Sequence, residues 1–120
     1  MTSDSRSTAI IGNPMPTSRL DTFRAMVAKN PANALARFGL ANEAVKEGLL
    51  DEAREHYESY LSSHDDEGNG YQRLAEVLAR LGLVDRARVA LGNGIEAARR
   101  FGHPTMAAEL EARLEELDAS

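Results

Sequence analysis

Cysteine and tryptophan are both absent from this 120-residue sequence, and only 5% of its residues are aromatic. The lack of cysteine excludes disulfides, cysteine-ligated zinc and thiol catalysis. Long apolar runs are also missing, so we expect no transmembrane segment, no secretory signal and a cytoplasmic protein. Positive charge is in deficit, because 14 Lys and Arg against 19 Asp and Glu give a net charge of -5. This balance argues against a general binder of nucleic-acid phosphates.

Residues that favour helix are abundant, with 19 alanines and 14 leucines. Apolar residues recur at helical spacing in six segments, as do Leu20, Phe23 and Val27 in the first of them. No segment alternates with a period of two over any length, so no sheet is expected. The sequence therefore predicts an all-α protein of about six helices.

Caps, prolines and glycines mark the ends of these helices. Glycine closes a helix because it adopts the left-handed conformation without strain, and aspartate accepts hydrogen bonds from the first free N–H groups of the next helix. Proline stops the helix before it and suits the first turn of a new one. The predicted boundary residues are Ser18, Pro31, Gly48, Asp51, Gly82, Asp85, Gly102 and Pro104.

The strongest signal is self-similarity after a shift of 34 residues. The coincident residues are those that a helix-turn-helix unit needs: a leucine beside a small residue, a glycine in the turn, an aspartate after it and a buried alanine. The superimposed pairs are Leu40 and Leu74, Ala41 and Ala75, Gly48 and Gly82, Asp51 and Asp85, and Ala53 and Ala87. We expect Ala53 and Ala87 to be buried where helices cross.

This pattern resembles the tetratricopeptide repeat, a 34-residue helix-turn-helix unit. The resemblance implies antiparallel helix pairs in a right-handed superhelical array over residues 18–118. Within that domain it implies a half-repeat, two full repeats and a capping helix, at 18–30, 34–67, 68–101 and 104–117. Residues 1–17, rich in Ser, Thr, Gly and Pro, are expected to form a flexible tail. A short linear motif around Ile10 and Ile11 is the alternative for that tail.

Gly92-Asn93-Gly94 lies inside the predicted fifth helix, where each glycine costs up to about 1 kcal/mol relative to alanine. One interpretation places Gly94 at a contact between two helices and leaves Gly92 incidental. The other is a kink, or a site where another backbone approaches closely.

Neither a catalytic set nor a metal-binding set is found among the polar residues of the sequence. His56, His64 and His103 have no partners at metal-ligand spacing. Gly68-Asn69-Gly70 lacks the preceding strand and the lysine of a phosphate-binding loop. We therefore expect a protein that is not an enzyme and that uses no metal and no cofactor.

The resemblance also implies that a peptide, or a helix of a partner, binds along the concave face lined by the first helix of each unit. The matching positions in this sequence are Leu35, Phe38, Asn42, Lys46, Asn69, Arg73, Glu76 and Arg80. Asn42 resembles the groove asparagine of the carboxylate-clamp subgroup, whereas Phe38 stands where that subgroup has a lysine. Lys46 and Arg80 are 34 residues apart, so these cations are expected to converge, with Glu76 partly neutralising the arginines.

These residues indicate a non-catalytic interaction module, a scaffold or adaptor whose protein partner carries an acidic segment or a free C-terminal carboxylate. Two other interpretations stay open: Asn42 is a solvated helix residue, and Glu76 with Arg80 is an ordinary ion pair one turn apart. The alternative function is a structural or self-assembly domain that forms homo-oligomers, a homodimer among them. Neither nucleic acid nor a membrane is expected as a partner.

Overall fold

A computed structural model describes residues 18–119 as six helices joined by short turns. The helices are α1 (Arg19–Lys29), α2 (Ala34–Lys46), α3 (Leu50–Ser63), α4 (Asn69–Arg80), α5 (Val84–Arg100) and α6 (Pro104–Ala119). No strand occurs between residues 18 and 119, and the all-α prediction is confirmed. The predicted tail 1–17, with Ile10 and Ile11, lies outside the described residues.

Each helix packs against its neighbours in the chain, α1 on α2, α2 on α3 and so on to α6. Because the connections are short, successive helices run antiparallel. Among the helices between residues 18 and 119, none has both the length and the apolar character needed to cross a membrane.

The turns within the two helix pairs α2–α3 and α4–α5 have the same geometry. Gly48 and Gly82 adopt φ angles of +77° and +81°, the left-handed region that favours glycine. The N–H that follows each glycine donates to the carbonyl five residues before it at 2.8 Å, from Leu49 to Ala44 and from Leu83 to Leu78. This is the Schellman closure, and it confirms the 34-residue register. The other predicted boundaries that are confirmed are Ser18, Gly102 and Pro104.

The predicted caps Asp51 and Asp85 are wrong. Helices α3 and α5 begin before these residues, with Leu49 and Leu83 as N-caps that make no side-chain cap hydrogen bond. The Schellman closure already directs the chain into the next helix, so both aspartates lie in its first turn. Their charge there interacts favourably with the positive end of the helix dipole.

Pro31 follows the end of α1, as predicted, but the prediction that it lies in the first turn of the second helix is wrong. Asn33 Oδ1 caps α2 by accepting a hydrogen bond from the N–H of Ala36 at 3.0 Å, so the helix begins at Ala34. The side chain of Asn30 accepts a hydrogen bond from the backbone two residues further on at 3.2 Å. These two asparagines form a turn between α1 and α2, and the proline lies within it.

Small side chains allow the helices to approach each other closely. Ala53 and Ala87 have no exposed surface, as predicted for residues at helix crossings. The largest fully buried side chains of residues 18–119 are Tyr57, Leu40, Leu78, Leu110 and Val77.

The two glycines of α5 have different environments, although the helix is continuous from Val84 to Arg100. A Cβ at Gly94 would lie 2.9 Å from the Cβ of Tyr71 and 3.1 Å from a Cδ of Leu110. Gly94 therefore sits at a helix contact, as the first interpretation predicted. A Cβ at Gly92 would have no neighbouring atom within 4 Å.

Candidate functional site

Side chains of α2, α4 and α6 share one side of the array. We call this side the concave face and define it by Asn42, Arg73, Glu76, Arg80 and Arg113. Three hollows of about 300, 350 and 270 Å³ follow one another along it. Arg73 borders the first and second hollows, and Glu76 and Arg113 border the second and third. The hollows therefore form one continuous surface.

A polar cluster in the concave face connects α2, α3 and α4. The hydroxyl of Tyr57 donates to Asn42 Oδ1 at 2.5 Å, and Arg73 donates to the same oxygen at 3.3 Å. Burial raises the pKa of Tyr57 above its ordinary value, so the hydroxyl keeps its proton and acts as a donor. Two donors on one oxygen fix the orientation of the Asn42 amide. Its NH₂ group has no hydrogen-bond partner among residues 18–119.

The side chain of Arg73 lies over the aromatic ring of Phe38. The guanidinium carbon lies 5.7 Å from the centroid of the Phe38 ring, within the range of a cation–π interaction. Phe38 itself packs against Tyr57 and Tyr60, with ring centroids 5.7 and 4.7 Å apart. Arg73 is therefore placed over α2 by its contacts with Asn42 and Phe38, while its side chain stays exposed on the concave face.

The cations of this face differ in whether they have an acidic partner. Glu43 accepts a hydrogen bond from Lys46 at 3.1 Å and one from Arg19 at 3.4 Å. These contacts, first of all the one with Lys46, lower the pKa of Glu43. Arg73 and Arg80 form no ion pair with any residue of the described stretch 18–119. They are the cations of this face that a ligand can engage without displacing a carboxylate.

Glu76 does not pair with Arg73 or Arg80, contrary to the sequence prediction. Its carboxylate accepts a hydrogen bond from Arg113 of α6 at 2.8 Å and so links α4 to α6. The interpretation of Glu76 and Arg80 as an ordinary ion pair one turn apart is therefore wrong. The ion pair with Arg113 neutralises much of the negative charge of Glu76 that was expected beside the two arginines.

Six of the eight residues predicted for the groove come together on or beneath the concave face: Phe38, Asn42, Lys46, Arg73, Glu76 and Arg80. Leu35 is 71% exposed and borders none of the three hollows. Asn69 lies beside Glu67 and His103, at a different hollow near the start of α6. Leu35 and Asn69 belong to the first turns of their helices, which lie beyond the stretch that borders the three hollows.

Sequence reasoning missed Arg113, although the repeat register contained the signal. Arg113 follows Ala79, which lines the second hollow, by 34 residues. The predicted role of α6, a helix that covers the end of the array, assigns none of its residues to the concave face. The contact between Gly39 and Phe23 leaves no such signal: a Cβ at Gly39 would collide with the ring of Phe23, yet its repeat equivalent is Arg73. No repeated pattern could reveal that contact.

A family model described as tetratricopeptide repeat matches residues 20–71 and 38–103. This chain belongs to the tetratricopeptide repeat family. The resemblance predicted from the 34-residue pattern is thereby confirmed. Tetratricopeptide repeats are non-catalytic scaffolds, which agrees with the expectation that the chain is not an enzyme. No curated protein matches the sequence.

Solved structures similar to this tetratricopeptide repeat protein include the following two. PcrH in complex with the chaperone binding region of PopD superimposes with a TM-score of 0.76 and 24% identity, over 83% of this chain and 76% of that one. The solution structure of protein BPP2914 from Bordetella parapertussis has a TM-score of 0.73 and 25% identity, over 87% and 90% of the two chains. Both share the repeat fold with this chain.

Proposed function

We propose that this tetratricopeptide repeat protein is a non-catalytic interaction module that binds a peptide, or a helix of a partner protein, along its concave face. The partner carries an acidic segment or a free C-terminal carboxylate. The proposal includes the scaffold or adaptor role and the cytoplasmic location expected from the sequence.

The observation that supports this proposal most is a pair of arginines without an acidic partner among residues 18–119, beside the free amide NH₂ of Asn42. Arg73 and Arg80 are seven residues apart on α4, so they lie about two turns apart on one side of the helix. Neither has an acidic partner among residues 18–119. The amide NH₂ of Asn42 adds a neutral donor near Arg73. A carboxylate is the acceptor-only group that such donors favour, and arginine binds it with two parallel hydrogen bonds.

Two further features of the concave face support an acidic protein ligand. Glu43 and Glu76 are each held by a cation, so neither is free to cancel the charge of the two arginines. The second hollow is also lined by the half-buried side chain of Val45, an apolar contact that suits a side chain next to the bound acid.

The fold is shared with PcrH, which was solved with the chaperone binding region of PopD. That complex shows that a chain of this fold accommodates a segment of another protein. A protein ligand for the present chain is our proposal on the basis of its own donors.

Selection from a random peptide library tests the proposal without a known partner. The full chain is immobilised, and the recovered peptides are sequenced. We expect enrichment of Asp, Glu or a free C-terminal carboxylate. A selected peptide is then resynthesised with its acidic groups replaced by Asn, Gln or a C-terminal amide, and we expect its affinity to fall by about tenfold or more.

The double variant Arg73→Ala/Arg80→Ala is compared with the wild-type chain and with Arg100→Ala, which is the control. Arg100 pairs with Asp65 away from the concave face, so its loss should leave peptide affinity unchanged. The double variant should weaken binding of the acidic peptide but not of its amide analogue. The proposal would be contradicted if the selection yielded neutral peptides that bind the wild-type chain, the double variant and the Arg100→Ala control equally.

A further inference from the structure

We call the side of α5 that carries Arg86, Val89, Gly92, Asn93 and Glu96 its outer side. Two of these residues, Val89 and Gly92, are explained neither by the packing of the fold nor by the concave face. Val89 is 64% exposed, whereas the residue 34 positions earlier, in α3, is Glu55. Gly92 weakens a helix relative to alanine, yet no atom lies within 4 Å of where its Cβ would be. Gly94, by contrast, is required by its contacts with α4 and α6. The outer side of α5 therefore carries a valine and a glycine that the monomer does not need.

Val89 also borders an apolar hollow of about 470 Å³ that opens between α3 and α5. Leu74 and Leu78 of α4 line this hollow, together with Leu61 of α3 and Ala90 of α5. Apolar surface of this kind, rimmed by polar residues, is typical of a site that another molecule covers.

Charged residues of opposite sign stand at the two ends of the same stripe of α5. The stripe runs along one side of the helix through Arg86, Val89, Asn93 and Glu96. The Arg86 side chain is 53% exposed and contacts Glu58 of α3. Glu96 is exposed and forms no ion pair with residues 18–119. A stripe that is basic at one end, apolar in the middle and acidic at the other end is complementary to its own reversed copy.

We propose that the outer side of α5 binds the same surface of a second copy of this chain about a two-fold axis. With the two α5 helices antiparallel and the axis passing between Val89 and Asn93, Arg86 of one copy faces Glu96 of the other. Val89 of one copy then faces Gly92 and Asn93 of the other. The missing side chain at Gly92 allows the two helices to approach closely.

A second copy is favoured over an unrelated helix because the two-fold axis uses each complementary contact twice. The same patch supplies the valine and the glycine that receives it, which is what an isologous interface requires. Arg73 and Arg80 lie outside the stripe, so the contact leaves the concave face of both copies open.

Charge reversal with rescue tests the proposal on the full-length chain. The mass is measured by sedimentation equilibrium over a series that extends to high micromolar concentration. We expect the wild-type chain to reach the mass of two copies. Glu96→Arg places two arginines opposite each other, so the dimer should dissociate at least tenfold more readily. Arg86→Glu should do the same, and the double variant should dimerise more tightly than either single variant, although its new glutamate lies beside Glu58.

Glu115→Arg is the matched control, because it makes the same charge change at an exposed position of α6. It should leave the dissociation constant unchanged, and circular dichroism should show that every variant keeps its helices. A wild-type chain that remains a monomer throughout the series overturns the proposal. So does a dimer that Glu96→Arg and Glu115→Arg weaken equally, or one that the double variant forms no more tightly than the single variants.

Discussion

The concave face and the outer side of α5 belong to the same array but present opposite chemistry. The concave face combines donors from three helices, and Arg73 and Arg80 there have no acidic partner within residues 18–119. The outer side of α5 presents an exposed valine beside an apolar hollow, with one charge of each sign. The first surface is suited to a ligand of one charge, and the second to a surface like itself.

This difference shows which positions of the repeat determine the fold and which are free to vary. Gly48 and Gly82 have the same turn geometry, and Ala53 and Ala87 are equally buried. Exposed equivalents differ completely, as with Glu55 and Val89. A repeat fixes its turns and helix crossings, so its surfaces diverge without cost to the fold.

The largest effect is expected at Ala87, because both surfaces depend on the fold that this buried residue stabilises. Ala87→Glu places an unpaired charge at a position with no exposed surface. We expect it to lower the free energy of unfolding by several kcal/mol, about 3–5. Urea denaturation of Ala87→Glu and of Val89→Glu, two residues away but exposed, separates burial from charge. Equal midpoints for the two variants would contradict the assignment of Ala87 to a helix crossing.

A smaller effect is expected at the concave face alone. Arg73→Ala should weaken binding of a selected acidic peptide by about 1.5–3 kcal/mol if the contact is desolvated, and by less at the rim. Affinity should fall as salt increases, because the exposed part of the interaction is screened. Isothermal titration calorimetry at two salt concentrations measures the loss of affinity on substitution and the dependence of affinity on salt. Binding that survives Arg73→Ala but is abolished by Phe38→Ala would make the concave face an apolar site.

Tyr57→Phe distinguishes the orientation of Asn42 from the charge of Arg73. The substitution removes the hydroxyl that donates to Asn42 Oδ1 and should cost about 1 kcal/mol of stability, measured by thermal unfolding. Peptide affinity should also fall, since the amide of Asn42 is then held by Arg73 alone. Unchanged affinity would show that the orientation of Asn42 plays no part in binding.

The smallest effect is expected at Gly92, on the outer side of α5. Gly92→Ala should stabilise the monomer by about 0.5–1 kcal/mol, because the added methyl group meets no atom and alanine favours helix. Gly94→Ala should destabilise it, because its methyl group would press on Tyr71. Denaturation at low protein concentration, where the monomer prevails, compares the two. Destabilisation by both changes would contradict the account of Gly92.

Much of the fold could be predicted because the repeat depends on local chemistry. Glycine in a left-handed turn and alanine at a crossing leave a signal at fixed spacing, so Gly48, Gly82, Ala53 and Ala87 were all identified. The caps could not be predicted as well. Asp51 is a good cap residue in general, but the Schellman closure at Gly48 had already set the start of the helix.

The concave face was only partly predictable because its contacts join distant helices. The pairing of Glu76 with Arg113 spans 37 residues, and no periodicity indicates which carboxylate a given arginine will choose. The hydrogen bond from Tyr57 to Asn42 links two helices within one unit, and its repeat equivalent is absent because Leu91 replaces the tyrosine.

Chemical-shift mapping of a selected acidic peptide on the isotopically labelled full chain shows which surface the peptide contacts. We expect shift changes along α2, α4 and α6, with the largest at Asn42, Arg73 and Arg80. We expect none along the outer side of α5. Changes centred on Val89 and the hollow between α3 and α5, with Arg73 and Arg80 unaffected, would show that the concave face is not the binding site.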